Sequence, residues 1–211
     1  MLCNVALHVL DEEWERSCKG LGTLVRYADD WLALCANRPR AEEARRRMAT
    51  ILRPLGLELN PDKTGIACLT KGGQGLDFLG YHLHKVQSWR WKGRWYLQRW
   101  PSARSMAAVR AKIRSLTDRR FVGFTVESVV DGLNRVLRAW GNHFRYGNST
   151  ATFSAIDRYV HERLAIFMGI KHGLAGSMRH QLGRFDHRWF SSLGVYRLRG
   201  TVRYGTAHAW R

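Results

Sequence analysis

The chain has 211 residues, 35 Lys and Arg against 17 Asp and Glu, a net charge of +18 and a hydrophobic share of 45%. That much apolar side chain can form a core and excludes a wholly disordered basic tail. No apolar run approaches the roughly 18 residues that a membrane-spanning helix needs, so no membrane partner is expected. Residues 1–84 carry 11 basic and 11 acidic side chains and residues 85–211 carry 24 and 6, so the whole excess is C-terminal and two parts with different duties follow. Arg outnumbers Lys 28 to 7. A guanidinium fork matches phosphate oxygens and points to a nucleic-acid partner. A GC-rich genome would also raise the Arg share, but it would act on both halves alike. Cys3, Cys18, Cys35 and Cys68 have neither metal-pair nor disulfide-framework spacing, and no signal peptide precedes them, so a reducing, cytoplasmic setting is expected. Cys35, in an apolar run, reads as a buried small hydrophobe.

Leu2, Val5, Ala6, Val9 and Leu10 fall at helical intervals and predict a helix packed by one face; it starts without a cap, which suggests a further segment upstream. Residues 23–27 and 31–35 are β-type runs joined by Ala28-Asp29-Asp30, which predicts a hairpin with two carboxylates at its tip. Asn37 to Pro39 open a helix whose apolar face is Ala44, Met48, Ile51, Leu52 and Leu55, ending at Gly56. Residues 57–59 and 66–69 are short strand candidates around the turn cluster 60–64, and residues 77–83 are a further strand candidate.

Two adjacent acids held on rigid strands repel one another, and a divalent metal relieves that repulsion; a solvated turn is the alternative. From Lys85 to Arg120 there are 11 basic residues and one acid, interleaved with Trp89, Trp91, Trp95, Tyr96 and Trp100. Cations such as Arg90, Lys92, Arg94 and Arg99 can follow a phosphate backbone while rings stack on unpaired bases. The other reading is an amphipathic hairpin turning at Gly93 with Trp inward; a mixture is expected, rings mostly in the core and charges facing RNA. Val129, Leu133, Val136, Leu137, Trp140 and Phe144 form one helical stripe and Ile156, Tyr159, Val160, Leu164 and Phe167 another, with Arg135, Arg138 and Arg145 off the first, facing RNA or solvent. The tail from Lys171, with His172, His180, His187 and His208 but no Cys pair, reads as irregular with short strands around residues 195–199.

Tyr27-Ala28-Asp29-Asp30, followed by Gly56-Leu57-Glu58-Leu59-Asn60-Pro61-Asp62-Lys63-Thr64 and Phe78-Leu79-Gly80-Tyr81, resembles in order and spacing the palm of group II intron reverse transcriptases. Residues 4–11 are similar to the helix preceding that hairpin, and residues 133–145 and 152–157 to the maturase-specific X or thumb region. The resemblance implies an α+β fold: a partial polymerase palm over 1–84, an antiparallel hairpin with helices; a basic aromatic connector over 85–125; and a mainly helical thumb/X domain with its tail over 126–211.

It also implies an RNA-directed DNA polymerase and maturase. Asp29 and Asp30 would be the catalytic, Mg²⁺-binding pair, Tyr27 would lie beneath the incoming nucleotide, and Lys63 would stand near its phosphates. Phe78, Leu79 and Gly80 would steady the primer end. A solvated Lys63 and a core role for Phe78 and Leu79 are the alternatives. Family palms carry an earlier metal-ligand Asp and a Gly-Ser-Pro loop that this sequence lacks, so a truncated enzyme with incomplete polymerase chemistry is expected. Asp11 reads as a solvated or capping residue rather than a substitute. The implied partners are group II intron RNA, a DNA primer or target, and a complementary N-terminal reverse transcriptase fragment. The alternatives are a non-catalytic RNA-binding splicing factor of maturase type and a decayed remnant.

Overall fold

A computed structural model describes residues 2–69, 73–88, 90–174 and 183–204; Trp89, His180 and His208 lie outside them. The chain separates into two units, Met1–Leu79 and Gly80–Arg211. In the first, the expected N-terminal helix is interrupted: α1 (Leu2–Ala6) and α2 (His8–Glu13) run into a π-type turn over Trp14–Cys18. Leu7, Leu10, Trp14 and Cys18 recur on one side and are buried. Against them lie Ala44, Met48 and Leu52 of α3 (Arg38–Leu52), whose N-terminus is capped by Asn37 Oδ1 accepting from Arg40 N at 3.0 Å. Leu55 stands outside this core, exposed in the short 3₁₀ turn that follows α3.

The hairpin forms as its pattern requires. β1 (Gly22–Tyr27) and β2 (Asp30–Cys35) pair antiparallel, from Gly22 opposite Cys35 to Tyr27 opposite Asp30. Leu24, Ala33 and Cys35 join the core partly buried. Among Cys18, Cys35 and Cys68 the fully buried thiol is Cys18, while Cys35 is only half-covered, with burial raising its thiol above the usual range.

Residues 57–59 and 66–69 are not strands. Asn60 organises the stretch instead: its Oδ1 accepts from Asp62 N at 2.9 Å and its carbonyl from Thr64 N at 2.9 Å, and this turn leaves Leu57 and Ile66 exposed. The strand expected over residues 77–83 is two: β3 (Leu76–Phe78) ends at Leu79 and Gly80, both left-handed at φ 49° and 80°, and β4 (Tyr81–Gln87) begins the second unit.

β4 pairs antiparallel with β5 (Trp95–Pro101) across a turn containing Gly93 and closed by Ser88 N donating to Arg94 O at 2.8 Å. Next comes α4 (Ala103–Leu116), a helix the charge count of this stretch conceals; it is capped by Ser102 and buries Val109 and Ile113. α5 (Val126–Phe144) and α6 (Thr150–Lys171) bury both expected stripes, with Val136, Trp140 and Tyr159 only partly covered. α7 (His187–Ser192) adds Phe190. Helices with antiparallel strand pairs make the fold α+β.

The tail holds no short strands among the described residues, apart from a single bridge between Tyr146 and Arg203. Residues 194–199 are nevertheless fixed. Asn134 of α5 donates through Nδ2 to Gly194 O and accepts from Tyr196 N, at 2.9 and 2.7 Å. The Asp157 carboxylate of α6 accepts from Leu198 N and Arg199 N, at 2.9 and 2.8 Å, and Leu198 is wholly buried. Side-chain acceptors replace the ladder that a strand would have used.

Candidate functional site

Strand alternation sends Leu24 and Arg26 of β1 inward and Val25 and Tyr27 outward. The inward guanidinium is then obliged to find partners. Arg26 donates through Nε to Asp11 Oδ1 at 2.9 Å and through Nη1 to Asn4 Oδ1 at 3.2 Å, and its Nη2 meets Asp11 Oδ2. Hydrogen bonding and charge from Arg26 hold the Asp11 carboxyl below the usual carboxylate range. Asp11, though still partly exposed, is therefore the counter-ion of a strand arginine fifteen residues away. The same Nη1 donates to Ala28 O at 2.8 Å, bracing the turn itself. Ala28 is left-handed, φ 55°, a conformation costly for a residue with a β-carbon and sustained here by its surroundings.

That turn brings together three of the residues singled out from the sequence. Tyr27 and Asp30 are directly opposed across the pair and Asp29 occupies the connecting turn; all three are exposed, Tyr27 at 67%. Carboxylate oxygens are the donors that Mg²⁺ prefers, but it demands near-octahedral coordination. Among the described residues no three His, Cys, Asp or Glu side chains stand together around a common point. Asp11, held by Arg26, does not join Asp29 and Asp30, so any Mg²⁺ at this turn would have these two carboxylates as its protein ligands, with water or phosphate oxygens filling the other positions. Lys63 is exposed in the Asn60 turn, and among the described residues no hydrogen bond or ion pair of its side chain reaches the hairpin.

Phe78 is half-buried and Leu79 exposed. Gly80 is seated closely: its carbonyl accepts from Ser105 Oγ and Ser102 N, both at 2.8 Å, and a β-carbon there would lie 3.0 Å from Ser105 Oγ and 3.4 Å from Phe144 Cζ. The glycine thus anchors the start of α4.

In the second unit Arg90, Lys92, Arg94 and Arg99 are exposed on the β4–β5 hairpin and its turn. The rings beside them are not mostly in the core. Trp91 is 58% exposed with the Arg94 guanidinium 5.4 Å from its centre, and Trp95 and Tyr96 are exposed too. The reason is reach: among the described residues of the hairpin, the contacts with the helical core are made at its base, where Tyr81 packs against it and Pro101 is buried. Trp100 is half-covered, 5.0 Å from the His82 ring.

Arg99 crosses Gly147, where a β-carbon would meet Arg99 O at 2.6 Å and Cγ at 2.7 Å. Arg138 lies 4.6 Å from the Tyr196 ring, and Arg145 lies 5.0 Å from the Tyr146 ring and donates to Tyr146 Oη at 3.2 Å. Among the described residues none of these six cations has a carboxylate within ion-pair distance, whereas Arg38 and Arg47 of the first unit pair with Glu42 and Glu43 at 2.9 and 2.8 Å. Other cations serve the fold. Lys171 Nζ donates to the carbonyls of Val122 and Phe124 at 2.7 and 2.8 Å, and Arg163 donates to Thr117.

The Arg26 brace escapes sequence reading because its side-chain partners, Asp11 and Asn4, lie 15 and 22 residues away along the chain; the one local signal is a charged residue at an inward strand position.

Residues 1–83 match the family model for reverse transcriptase (RNA-dependent DNA polymerase), and residues 106–185 match that for the group II intron maturase-specific domain. Together they span about three quarters of the chain. No curated protein matches it significantly. With a reverse transcriptase segment leading into a maturase-specific one, in the order its motifs resemble, the chain belongs to the group II intron reverse transcriptase/maturase family.

Proposed function

We propose that this chain grips group II intron RNA through its C-terminal half, and that its polymerase chemistry is incomplete on its own residues. In this reading residues 1–84 are a partial palm, 85–125 a basic connector and 126–211 the thumb/X domain with its tail. The observation that carries it is a set of six uncompensated cations: Arg90, Lys92, Arg94 and Arg99 on the hairpin that exposes Trp91, Trp95 and Tyr96, and Arg138 and Arg145 on and just after α5 beside Tyr196 and Tyr146. Guanidiniums take backbone phosphates, and rings accept unpaired bases. If about 6 phosphates are engaged, log K should fall with log salt at a slope of about −4 to −5. Changing Arg90, Lys92, Arg94 and Arg99 together to Gln should flatten that slope. A salt-independent binding constant for the full chain would remove the reading.

The acidic turn supports a second reading, a non-catalytic splicing factor, because no third metal-ligating side chain joins Asp29 and Asp30 among the described residues. The family's Mg²⁺, the nucleotide contacts of Tyr27 and Lys63, and the primer contacts of Phe78, Leu79 and Gly80 would then matter only with a complementary palm fragment and a DNA primer. Primer extension separates the two. The chain alone should extend nothing, and Asp29→Ala should abolish any activity recovered by mixing in such a fragment. Extension by the isolated chain would overturn the claim of incompleteness.

A further inference from the structure

α4 and α6 leave a concave site between them that none of the six cations above lines. It has a volume of about 430 Å³ and is walled by Ala107, Arg110, Ala111, Arg114, Arg120 and Tyr159. The arrangement follows from helical periodicity. Val109 and Ile113 turn into the core, which leaves Ala107 and Ala111 one turn apart on the exposed side as a low floor, with Arg110 and Arg114, also one turn apart, at its edge. Tyr159 of α6 supplies the opposite wall, its ring 5.8 Å from the Arg110 guanidinium. The acid at this groove, Asp118, is already committed: it pairs with Arg120 at 3.3 Å and accepts from Arg120 N at 3.2 Å. Arg110 and Arg114 therefore bring uncompensated positive charge to a concave surface with a half-exposed aromatic ring, where the local field is focused.

We infer that this groove seats one unpaired nucleotide of the bound RNA, its phosphate held by Arg110 and Arg114 and its base or sugar resting on the alanine floor against Tyr159. The volume lies in the range of small-ligand sites and leaves room for one nucleotide, while the small side chains of Ala107 and Ala111 allow the backbone to approach the helix. The inference rests on the RNA-binding reading and adds a place where a strand is held, distinct from the hairpin cations.

The test uses the full chain and a labelled single-stranded RNA, with affinity followed across a salt series. Arg110→Gln with Arg114→Gln should weaken binding roughly 4- to 6-fold at about 0.15 M salt and flatten the slope by about 0.7 to 0.9, the share of the one phosphate they hold. Ala111→Trp fills the floor without removing a charge and should weaken binding about fivefold, the worth of one contact. All three positions are exposed, so melting curves should match the parent. Salt-dependent binding by the parent, with both groove variants within about twofold of it, overturns this inference and leaves the RNA-binding reading standing. Loss in the double Gln variant without loss in Ala111→Trp also overturns it, since the arginines then act only as surface charge. Failure of the parent to bind RNA at all removes the reading itself. Adenosine monophosphate should compete only weakly; a free nucleotide that displaces RNA efficiently would make the groove a mononucleotide site and overturn the assignment to a strand.

Discussion

Gly141 lies within α5 directly beneath Leu198, and a β-carbon added there would stand 2.5 Å from Leu198 Cδ2. Two effects of Gly141→Ala oppose each other. Alanine gains about 1 kcal/mol of helix propensity over glycine. The new methyl also forces aside a leucine with no exposed surface, and overpacking of this kind costs about 1–3 kcal/mol. The expected net is a loss of about 1 kcal/mol. Leu198→Ala removes the obstacle at a cost of about 2–5 kcal/mol, and in that background Gly141→Ala should turn stabilising by about 1 kcal/mol. A double-mutant cycle by urea denaturation, followed by tryptophan fluorescence, should therefore give a coupling of about 2 kcal/mol with a reversal of sign. The same effect of Gly141→Ala in both backgrounds would refute the claim that the tail is seated on α5 through this leucine.

Asp11→Asn should cost about 1–2 kcal/mol, because it replaces the carboxylate that faces the largely buried Arg26 by a neutral amide; the figure is held low because the Asp11 side chain is 37% exposed. Since Arg26 lowers the folded-state pKa of Asp11, the ion pair's contribution is present at neutral pH and lost as pH falls through that lowered value, so the variant should flatten the acid limb of a stability-against-pH curve. His187 behaves oppositely in charge but alike in direction. Burial, the His161 ring stacked on it at 4.1 Å and Arg197 all disfavour its cation, so stability should decline as pH drops below the ordinary histidine value near 6.5, and His187→Gln should remove that decline in thermal melts. Gly147→Ala places a β-carbon against the Arg99 carbonyl at φ +135° and should cost about 2 kcal/mol or more in urea unfolding, with weaker RNA binding through displacement of Arg99.

Local patterning carried the elements whose stability is local. The α5 and α6 stripes, the 28–30 turn and the Asn37 cap could be read because a helix face or a two-residue loop is written within a few neighbouring positions. α4 was lost under its own charge: Arg104, Arg110, Lys112 and Arg114 suggested a connector, although Val109 and Ile113 at helical spacing held the opposite signal. Residues 57–59 and 66–69 look like strands because β propensity reports a side chain's fitness for a sheet and says nothing of whether a neighbouring strand exists. The same limit hid the exposure of Trp91 and Trp95, since apolar character predicts burial only where some layer arrives to cover it. In the candidate site, the acidic pair was legible from its motif, but the Asp11–Arg26 brace and the α4–α6 groove exist only once distant segments meet.

The anchoring of the tail by Asn134 and Asp157 also sets a timetable. Leu198 reaches its seat 41 residues after Asp157, and Tyr196 meets Asn134 across 62, so α5 and α6 emerge from the ribosome well before the segment that completes them. Until then both side chains must spend their hydrogen bonds on water, and the hollow above Gly141 stands open. Closing a loop of that length costs only modestly more entropy than closing a short one, so the separation along the chain does little to weaken the docked state once Leu198 is made. A nascent chain held short of that residue would meanwhile expose an apolar opening, the surface that holding chaperones engage and through which unfinished chains associate.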